Sequence, residues 1–375
     1  MNIEKTNSIA IIFSGLYVGG AEKFGISLAN RFVASGVRTH LILFETFRSV
    51  MFDQVDERIE IVYIDRKSKV DFVLHKEFDA EVARRNINKI IFFCLSPLFY
   101  TRVFSFQKNK DVSYFISLHS TIPASFKVYL KHLLFLFFAR KTDKVLFICQ
   151  NQRTFHYDKY FFRPSLYDVI YNGVDVEYFK PGNGLVLNKK DEMAIGPNDK
   201  VILLVATLRP EKGHSYAIES LNILHNDYAD KKHTHLVFTG DGDKKYVEEL
   251  KQLVSKYSLE SFVHFEGNQK DVRKYYEIAD VFTLTSFSVE TFSIAGLEAM
   301  CYGLPLSLTN IGGASEMVIE GKNGLLSKPK DSKSIAATWA NLLDAKLDKN
   351  EIREIAVNNY SLDLIFKKYY KAILE

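Results

Sequence analysis

The stretch that decides the fold of this chain runs from Val281 to Val318 and reads VFTLTSFSVETFSIAGLEAMCYGLPLSLTNIGGASEMV. It begins as an apolar strand, continues through a loop that holds Glu290, and enters a helix that carries Glu298. In a parallel α/β sheet, the free N–H groups of such a helix point at the loop, which is the usual geometry for binding phosphate. Because the two carboxylates flank the helix start, they can reach different parts of one extended ligand.

Length and composition predict the domain count. The chain has 375 residues, which is too long for one ordinary hydrophobic core and therefore predicts two domains. Its 47% apolar and 25% charged residues are typical of a soluble globular protein. The three cysteines, Cys94, Cys149 and Cys301, lie in apolar surroundings without ligand spacing. This pattern predicts buried thiols in a reducing compartment and no metal or disulfide site.

Two features of the sequence bear on membrane insertion: its N-terminus and its longest apolar run. Met1–Lys5 lead directly into the apolar strand Ser8–Phe13, without a signal-peptide pattern. The longest uninterrupted apolar run, Leu133–Ala139, is far shorter than the ~20 residues that a membrane-spanning helix needs. We therefore expect a cytoplasmic protein. Peripheral binding to the inner face of the cell membrane stays open as an addition to this.

Charge is distributed unevenly along the chain. Residues 1–178 hold 24 Lys and Arg against 18 Asp and Glu, a net +6, whereas the remainder holds 25 against 27. A basic first half favours an anionic substrate or surface, although a solvated basic face gives the same count. Within it, residues 125–144 read SFKVYLKHLLFLFFARKTDK. This segment fits either a helix on an anionic membrane surface or a core helix that covers the sheet. We favour the core helix because its centre is apolar on all sides.

Strands alternate with helices in both halves, which predicts two doubly wound parallel sheets. Ser8–Phe13 is followed by a glycine-rich turn with Gly19 and Gly20, and His119 comes directly after the strand Ser113–Leu118. That position is the carboxyl edge of the sheet, where α/β proteins bind ligands. Residues 180–200 are rich in Gly, Pro, Asn, Asp and Lys. We therefore predict domains over 1–178 and 179–358, with a C-terminal helix over about 359–375 packing back on the first.

Several short motifs occur in the order of a known family. They are Gly19-Gly-Ala-Glu22, His119, Asn172-Gly-Val-Asp175, Arg209-Pro-Glu-Lys-Gly213, Gly240-Asp-Gly242, and Glu290-x7-Glu298 followed by Gly303-Leu-Pro305. In these features the chain resembles glycosyltransferase family 4, the retaining GT-B enzymes also called glycosyltransferase group 1. The resemblance covers nearly the whole chain and implies two Rossmann-like domains that face each other across a cleft. It places the nucleotide-sugar donor mainly on the second domain.

The resemblance also implies roles for individual residues. Glu290 would meet the donor sugar's hydroxyls, His119 would reach that sugar from the other domain, and Lys212 would stabilise the leaving diphosphate. These three are the implied catalytic residues. Glu298 would bind the ribose, and backbone N–H groups at the helix start would bind the diphosphate. The implied donor-binding residues are Gly19, Gly20, Arg209, Lys212, Gly240, Asn268, Gln269, Phe292, Ser293, Ile294 and Glu298.

Two positions depart from the family pattern. The family's usual arginine lies five residues before the lysine, where this chain has Thr207, and Arg209 stands two residues later. The glycine usual after Glu-x-Phe is Ser293, which predicts less room beside the diphosphate and possible local strain.

Together these features predict a retaining transfer of a hexose or N-acetylhexosamine from a UDP-sugar to a glycan. A basic, aromatic first domain favours an acceptor that is lipid-linked or of the lipopolysaccharide or capsule type. We expect no cofactor, no metal ion and no nucleic-acid partner, since no Asp-x-Asp pair is placed for a divalent ion and cationic groups can serve instead. Two alternatives stay open: a non-catalytic partner subunit of a glycosyltransferase, and a sugar-nucleotide epimerase on the same fold.

Overall fold

A computed structural model describes residues 7–17, 19–46, 49–65, 71, 73–102, 111–119, 129–130, 133–134, 136–137, 142–182, 189–288 and 290–375. The chain divides into two units. The first comprises Met1–Gly173 and Leu362–Glu375, and the second comprises Val174–Ser361. The boundary lies a few residues before the predicted one at 178/179, and the terminal helix belongs to the first unit.

The first unit contains a parallel sheet in the order β3-β2-β1-β4-β5-β6-β7. Its strands are β1 Ser8–Phe13, β2 Arg38–Leu43, β3 Glu60–Tyr63, β4 Lys89–Phe92, β5 Ser113–Leu118, β6 Lys144–Phe147 and β7 Tyr167–Val169. Its helices include α1 Gly20–Ala34, α2 Leu74–Arg84, α3 Leu95–Arg102, α4 Gln150–Lys159 and the terminal α13 Leu362–Leu374. The central strand β1 is buried along its whole length, as the continuous apolar run SIAIIF predicts for a strand covered on both faces.

The second unit repeats this plan with six parallel strands in the order β10-β9-β8-β11-β12-β13. The strands are β8 Lys200–Val205, β9 Thr234–Thr239, β10 Val263–Phe265, β11 Val281–Leu284, β12 Leu306–Thr309 and β13 Gly324–Ser327. The helices are α5 Lys189–Glu192, α6 His214–Asp227, α7 Lys244–Lys256, α8 Arg273–Ile278, α9 Ile294–Cys301, α10 Ala314–Met317, α11 Ser332–Asp344 and α12 Lys349–Tyr360. Two parallel, doubly wound α/β sheets confirm the predicted fold class.

Residues 125–144 lie for the most part outside the described ranges. The described residues 129–130, 133–134 and 136–137 are helical. Leu136 is buried, but Leu130, Leu134 and Phe137 are 52%, 49% and 58% exposed. Leu136 belongs to the buried core of the first unit, and Tyr129 and Leu133 pack against that core, whereas Leu130, Leu134 and Phe137 form an exposed side at helical spacing. The favoured interpretation as a core helix stays a prediction, because most of the segment lies outside the described residues. Within the parts of the chain that are described, no helix combines the length and apolarity needed to cross a membrane.

Candidate active site

The predicted donor residues of the second unit lie on loops at one edge of its sheet. Because all six strands are parallel, the loops that follow β8, β9, β11 and β12 leave from the same carboxyl edge. The loop after β8 carries Lys212, and the loop after β11 carries Glu290 and leads into α9. The topology therefore explains how residues 78 positions apart in the sequence meet.

Lys212 and Glu290 form an ion pair at this edge. The Lys212 Nζ lies 2.8 Å from the Glu290 Oε2, and the two side chains are 15% and 17% exposed. The Ser286 Oγ lies 3.5 Å from the same carboxylate oxygen. A cation and a carboxylate are thus held together in partial shelter from water, next to the start of a helix.

The loop of Lys212 is fixed against β11 by the residue that follows the lysine. Gly213 has a φ of +75°, and a Cβ added there would lie 2.0 Å from the Thr285 backbone oxygen. No side chain fits at that distance, so glycine is required. The Thr285 hydroxyl donates to the backbone oxygens of Gly213 at 2.8 Å and Lys212 at 3.2 Å. These contacts hold the backbone that presents the Lys212 ammonium.

The loop of Glu290 is fixed in the same way by the Gly312-Gly313 turn. Gly312 has a φ of +55°, and a Cβ there would lie 2.1 Å from the Glu290 backbone oxygen. The Gly313 N–H donates to the Thr291 oxygen at 2.6 Å. A turn after β12 therefore holds the backbone of the loop after β11.

Helix α9 begins with a side-chain cap. The Ser293 Oγ accepts a hydrogen bond of 3.0 Å from the Gly296 N–H, which satisfies one of the unpaired donors of the first turn. The N–H groups of Ile294 and Ala295 have no acceptor within the helix, as at any helix start. Ser293 has a φ of −73°, so the strain anticipated from replacing glycine is not found in its backbone. The serine instead adds a cap that glycine could not provide.

Glu298 lies a little over one turn into α9 and is almost fully buried, with 3% exposure. The Tyr276 hydroxyl donates to its Oε2 at 2.8 Å. The Tyr276 ring also stacks on that of Tyr302, at 5.6 Å between centroids. Burial, together with the Glu298 charge, raises the pKa of Tyr276 well above its ordinary value, so its hydroxyl remains a donor. Glu298 is therefore held in one orientation by a neighbouring helix.

The remaining predicted donor residues of this unit surround the same edge. Arg209 is exposed, and its Nε donates to the Thr207 Oγ1 at 3.2 Å. Thr207, which stands where the family usually has an arginine, thus accepts a hydrogen bond from Arg209. Gly240 has a φ of +136°, a Cβ there would lie 2.0 Å from the Ala206 oxygen, and its N–H donates to the Gly267 oxygen at 2.8 Å. Asn268 is exposed, and Gln269 donates to the Glu266 backbone oxygen.

His119 and the Gly19-Gly20 turn belong to the first unit and lie at the carboxyl edge of its sheet. Gly19 precedes α1 as its N-cap and Gly20 opens the helix. The His119 ring stacks on Phe93, with 4.8 Å between centroids and an angle of 14°. Its Nε2 lies 2.9 Å from the Ser117 Oγ. Burial lowers the pKa of His119 to about 3, so the ring is neutral at physiological pH.

The structure thus brings Lys212 and Glu290 into direct contact and places Glu298 with a different partner, Tyr276. Tyr276 and Thr285 support the site but were not among the sequence predictions. Tyr276 lies in an ordinary helical pattern and Thr285 ends a strand, so neither residue carries a local signal. Among the described residues, no cluster of three His, Cys, Asp or Glu side chains has the arrangement of a metal site.

The chain is similar in sequence to known glycosyltransferases. The family model for glycosyl transferases group 1 matches residues 187–359, and that for glycosyltransferase family 4 matches residues 18–178. An uncharacterized glycosyltransferase of Methanocaldococcus jannaschii is 31% identical over 204 residues, which are 54% of this chain and 50% of that protein. A D-inositol 3-phosphate glycosyltransferase of Corynebacterium glutamicum is 28% identical over 53% of this chain and 46% of its own length. The chain therefore spans about half the length of these curated relatives.

Among solved structures, Anabaena HepE in complex with UDP and glucose superposes with a TM-score of 0.84. It is 21% identical, over 98% of this chain and 99% of that one, which shows a shared GT-B fold. The two family models match adjoining stretches that correspond closely to the two units. The chain therefore belongs to glycosyltransferase family 4, the group 1 glycosyltransferases.

Proposed function

We propose that the chain is a retaining glycosyltransferase that moves a hexose or N-acetylhexosamine from a UDP-sugar to a hydroxyl of a glycan. The observation that carries the proposal is the Lys212–Glu290 pair beside the start of α9. It supplies a cation for a diphosphate and a carboxylate for sugar hydroxyls in one place. The UDP and glucose bound by HepE, on the same fold, favour a UDP-sugar as the donor.

In the proposed reaction, the bond from the anomeric carbon to the β-phosphate oxygen breaks, and the acceptor oxygen bonds to that carbon on the same face. The acceptor's proton passes to the departing diphosphate. Lys212 and the free N–H groups at the start of α9 stabilise the charge that develops on the leaving group. These groups serve in place of a divalent cation, so EDTA should leave the transfer rate unchanged. A rate restored only by added magnesium or manganese would contradict this part of the proposal.

We also propose that Glu298 binds the ribose of the donor. The Tyr276 hydroxyl holds this carboxylate in place, and a carboxylate can accept several hydrogen bonds at once, as two ribose hydroxyls would require. We expect Glu298→Ala to weaken binding of both UDP and the UDP-sugar, whereas Glu320→Ala, an exposed carboxylate of the same unit, should not. Full donor affinity in Glu298→Ala would rule out the ribose assignment.

A thermal-shift screen of sugar nucleotides tests the donor directly. A UDP-sugar that raises the melting temperature should then be consumed in the presence of an acceptor glycan. Products analysed by NMR separate the alternatives: a glycoside with retained configuration supports transfer, and an isomerised sugar in the absence of acceptor indicates an epimerase. Binding of the UDP-sugar without turnover, whichever acceptor is added, would favour a non-catalytic partner subunit.

The acceptor is proposed to be lipid-linked or part of a lipopolysaccharide-like or capsular glycan, reached at the cytoplasmic face of a membrane. The helical residues Leu130, Leu134 and Phe137 expose apolar side chains in a basic half of the chain, as a surface that meets anionic lipid would. Sedimentation with vesicles rich in phosphatidylglycerol tests this. The double substitution Leu134→Ser and Phe137→Ser should reduce binding, and Val73→Ser, at another exposed apolar position, should not. Equal loss in both variants, or no sedimentation at low salt, would contradict the membrane proposal.

A further inference from the structure

The Lys212–Glu290 ion pair bears on more than donor binding, because the ammonium and the carboxylate engage each other directly. One N–H of the Lys212 ammonium points at a carboxylate, and the loops that carry both residues are held by glycines with left-handed backbones. The backbones that carry the two side chains are therefore each held in place by contacts at Gly213 and Gly312. Any ligand that approaches Lys212 also approaches Glu290.

This proximity has opposite consequences for the two nucleotides that the proposed reaction involves. A free nucleoside diphosphate brings its terminal phosphate charge to Lys212 and so places a second anion beside the sheltered Glu290 carboxylate. Two anions that lie beside each other in partial shelter from water repel each other, which weakens binding of the free diphosphate. In a sugar nucleotide, the sugar covers the terminal phosphate, lowers its charge, and offers hydroxyl donors that can satisfy Glu290.

We propose that Glu290, through its pair with Lys212, makes the site discriminate against free nucleoside diphosphate in favour of the sugar nucleotide. This inference rests on the proposed function and adds a step to it. Once the sugar has passed to the acceptor, Glu290 loses its hydroxyl donors and faces the diphosphate. It then competes for the Lys212 ammonium, which promotes release of the product.

The test is the ratio of two dissociation constants, measured by calorimetry for UDP and for the UDP-sugar that the thermal-shift screen identifies. Glu290→Gln keeps the shape of the side chain and removes its charge. We expect it to tighten UDP binding about tenfold and to leave UDP-sugar binding unchanged or weaker. The preference for the sugar nucleotide should therefore fall by at least tenfold.

Two further variants separate the pair from other effects. Glu320→Gln removes the same charge from an exposed carboxylate on a different loop of the same unit. It should retain the wild-type ratio. Glu290→Asp keeps a carboxylate and should retain most of the preference, which guards against a Glu290→Gln variant that folds poorly.

The outcomes distinguish this inference from the proposed function. An unchanged ratio in Glu290→Gln, or an equal change in Glu320→Gln, would overturn the inference while leaving nucleotide-sugar binding intact. A wild-type protein that binds neither UDP nor UDP-glucose, UDP-galactose or UDP-N-acetylglucosamine would overturn both.

Discussion

Replacing Tyr276 by phenylalanine tests whether the buried Glu298 carboxylate depends on its neighbour. The substitution removes only the hydroxyl that donates to Glu298 at 2.8 Å and keeps the ring that stacks on Tyr302. Because Glu298 is 3% exposed, water cannot readily replace the lost donor. The change should therefore lower both the free energy of unfolding and the affinity for the donor.

The magnitude follows from the type of bond. A hydrogen bond to a charged group contributes about 1.5–3 kcal/mol, against about 1 kcal/mol for a neutral pair. We expect Tyr276→Phe to destabilise the protein by about 2 kcal/mol, which corresponds to a fall of roughly 4–8 °C in melting temperature for a domain of this size. A carboxylate that is no longer held should bind the donor about tenfold more weakly, equivalent to about 1.4 kcal/mol.

Tyr360→Phe is the matched control. The Tyr360 hydroxyl donates to a neutral acceptor, the Glu316 backbone oxygen, at 3.2 Å, and the residue is buried in the same unit. Thermal unfolding should show about half the loss found for Tyr276→Phe, and calorimetry should show unchanged donor affinity. Equal stability losses in the two variants, with donor affinity retained in both, would refute a positioning role for Tyr276.

Two other predictions concern the support of the fold. Gly213→Ala should lower the unfolding midpoint in urea far more than Gly321→Ala, since both have φ near +75° but only Gly213 meets a backbone oxygen at 2.0 Å; similar midpoints would contradict the steric argument. The His235 Nδ1 lies 2.9 Å from the His264 Nε2, and the His235 Nε2 lies 3.3 Å from the Asp199 Oδ2. Burial lowers the pKa of His235, and lowers that of His264 to about 4. Since both folded values lie below that of an unfolded histidine, the unfolded chain binds more protons as the pH falls from about 6.5 towards 4, and stability should decline in that window. Urea midpoints at pH 7.5 and 5 check this, and His264→Gln should reduce the difference.

The sequence was sufficient for the architecture because the central strands of a parallel sheet are long, apolar and bounded by turns. Ser8–Phe13 and Ser113–Leu118 were predicted with the bounds that the structure shows. The edge strand Tyr167–Val169 was missed, because three residues with exposed or half-buried side chains carry no such pattern. An apolar run alone cannot show which side of a helix meets the core, so the sequence did not predict that Leu134 is exposed.

The candidate site could be predicted only as a set of parts. The spacing of Glu290 and Glu298 and the position of Lys212 pointed to one edge of one sheet. The pairing of Lys212 with Glu290, and of Glu298 with Tyr276, depends on how distant loops and helices pack, and no local pattern records it. The structure therefore adds the partners of each predicted residue, while the assigned roles stay predictions.

The ion pair itself argues for a functional site over a stabilising one. The Lys212 and Glu290 side chains are only 15% and 17% exposed, so both charges lose much of their hydration. A protein with well-packed apolar residues in place of such a pair is often at least as stable. The chain also commits two left-handed glycines, Gly213 and Gly312, to hold the loops that carry these charges. Charges that are partly removed from water lose hydration, and a glycine loses more backbone entropy on folding than any other residue. These two features become intelligible if the charges must already be in place when a diphosphate and a sugar arrive, because groups that need no rearrangement stabilise a transition state more effectively than groups that must be ordered first.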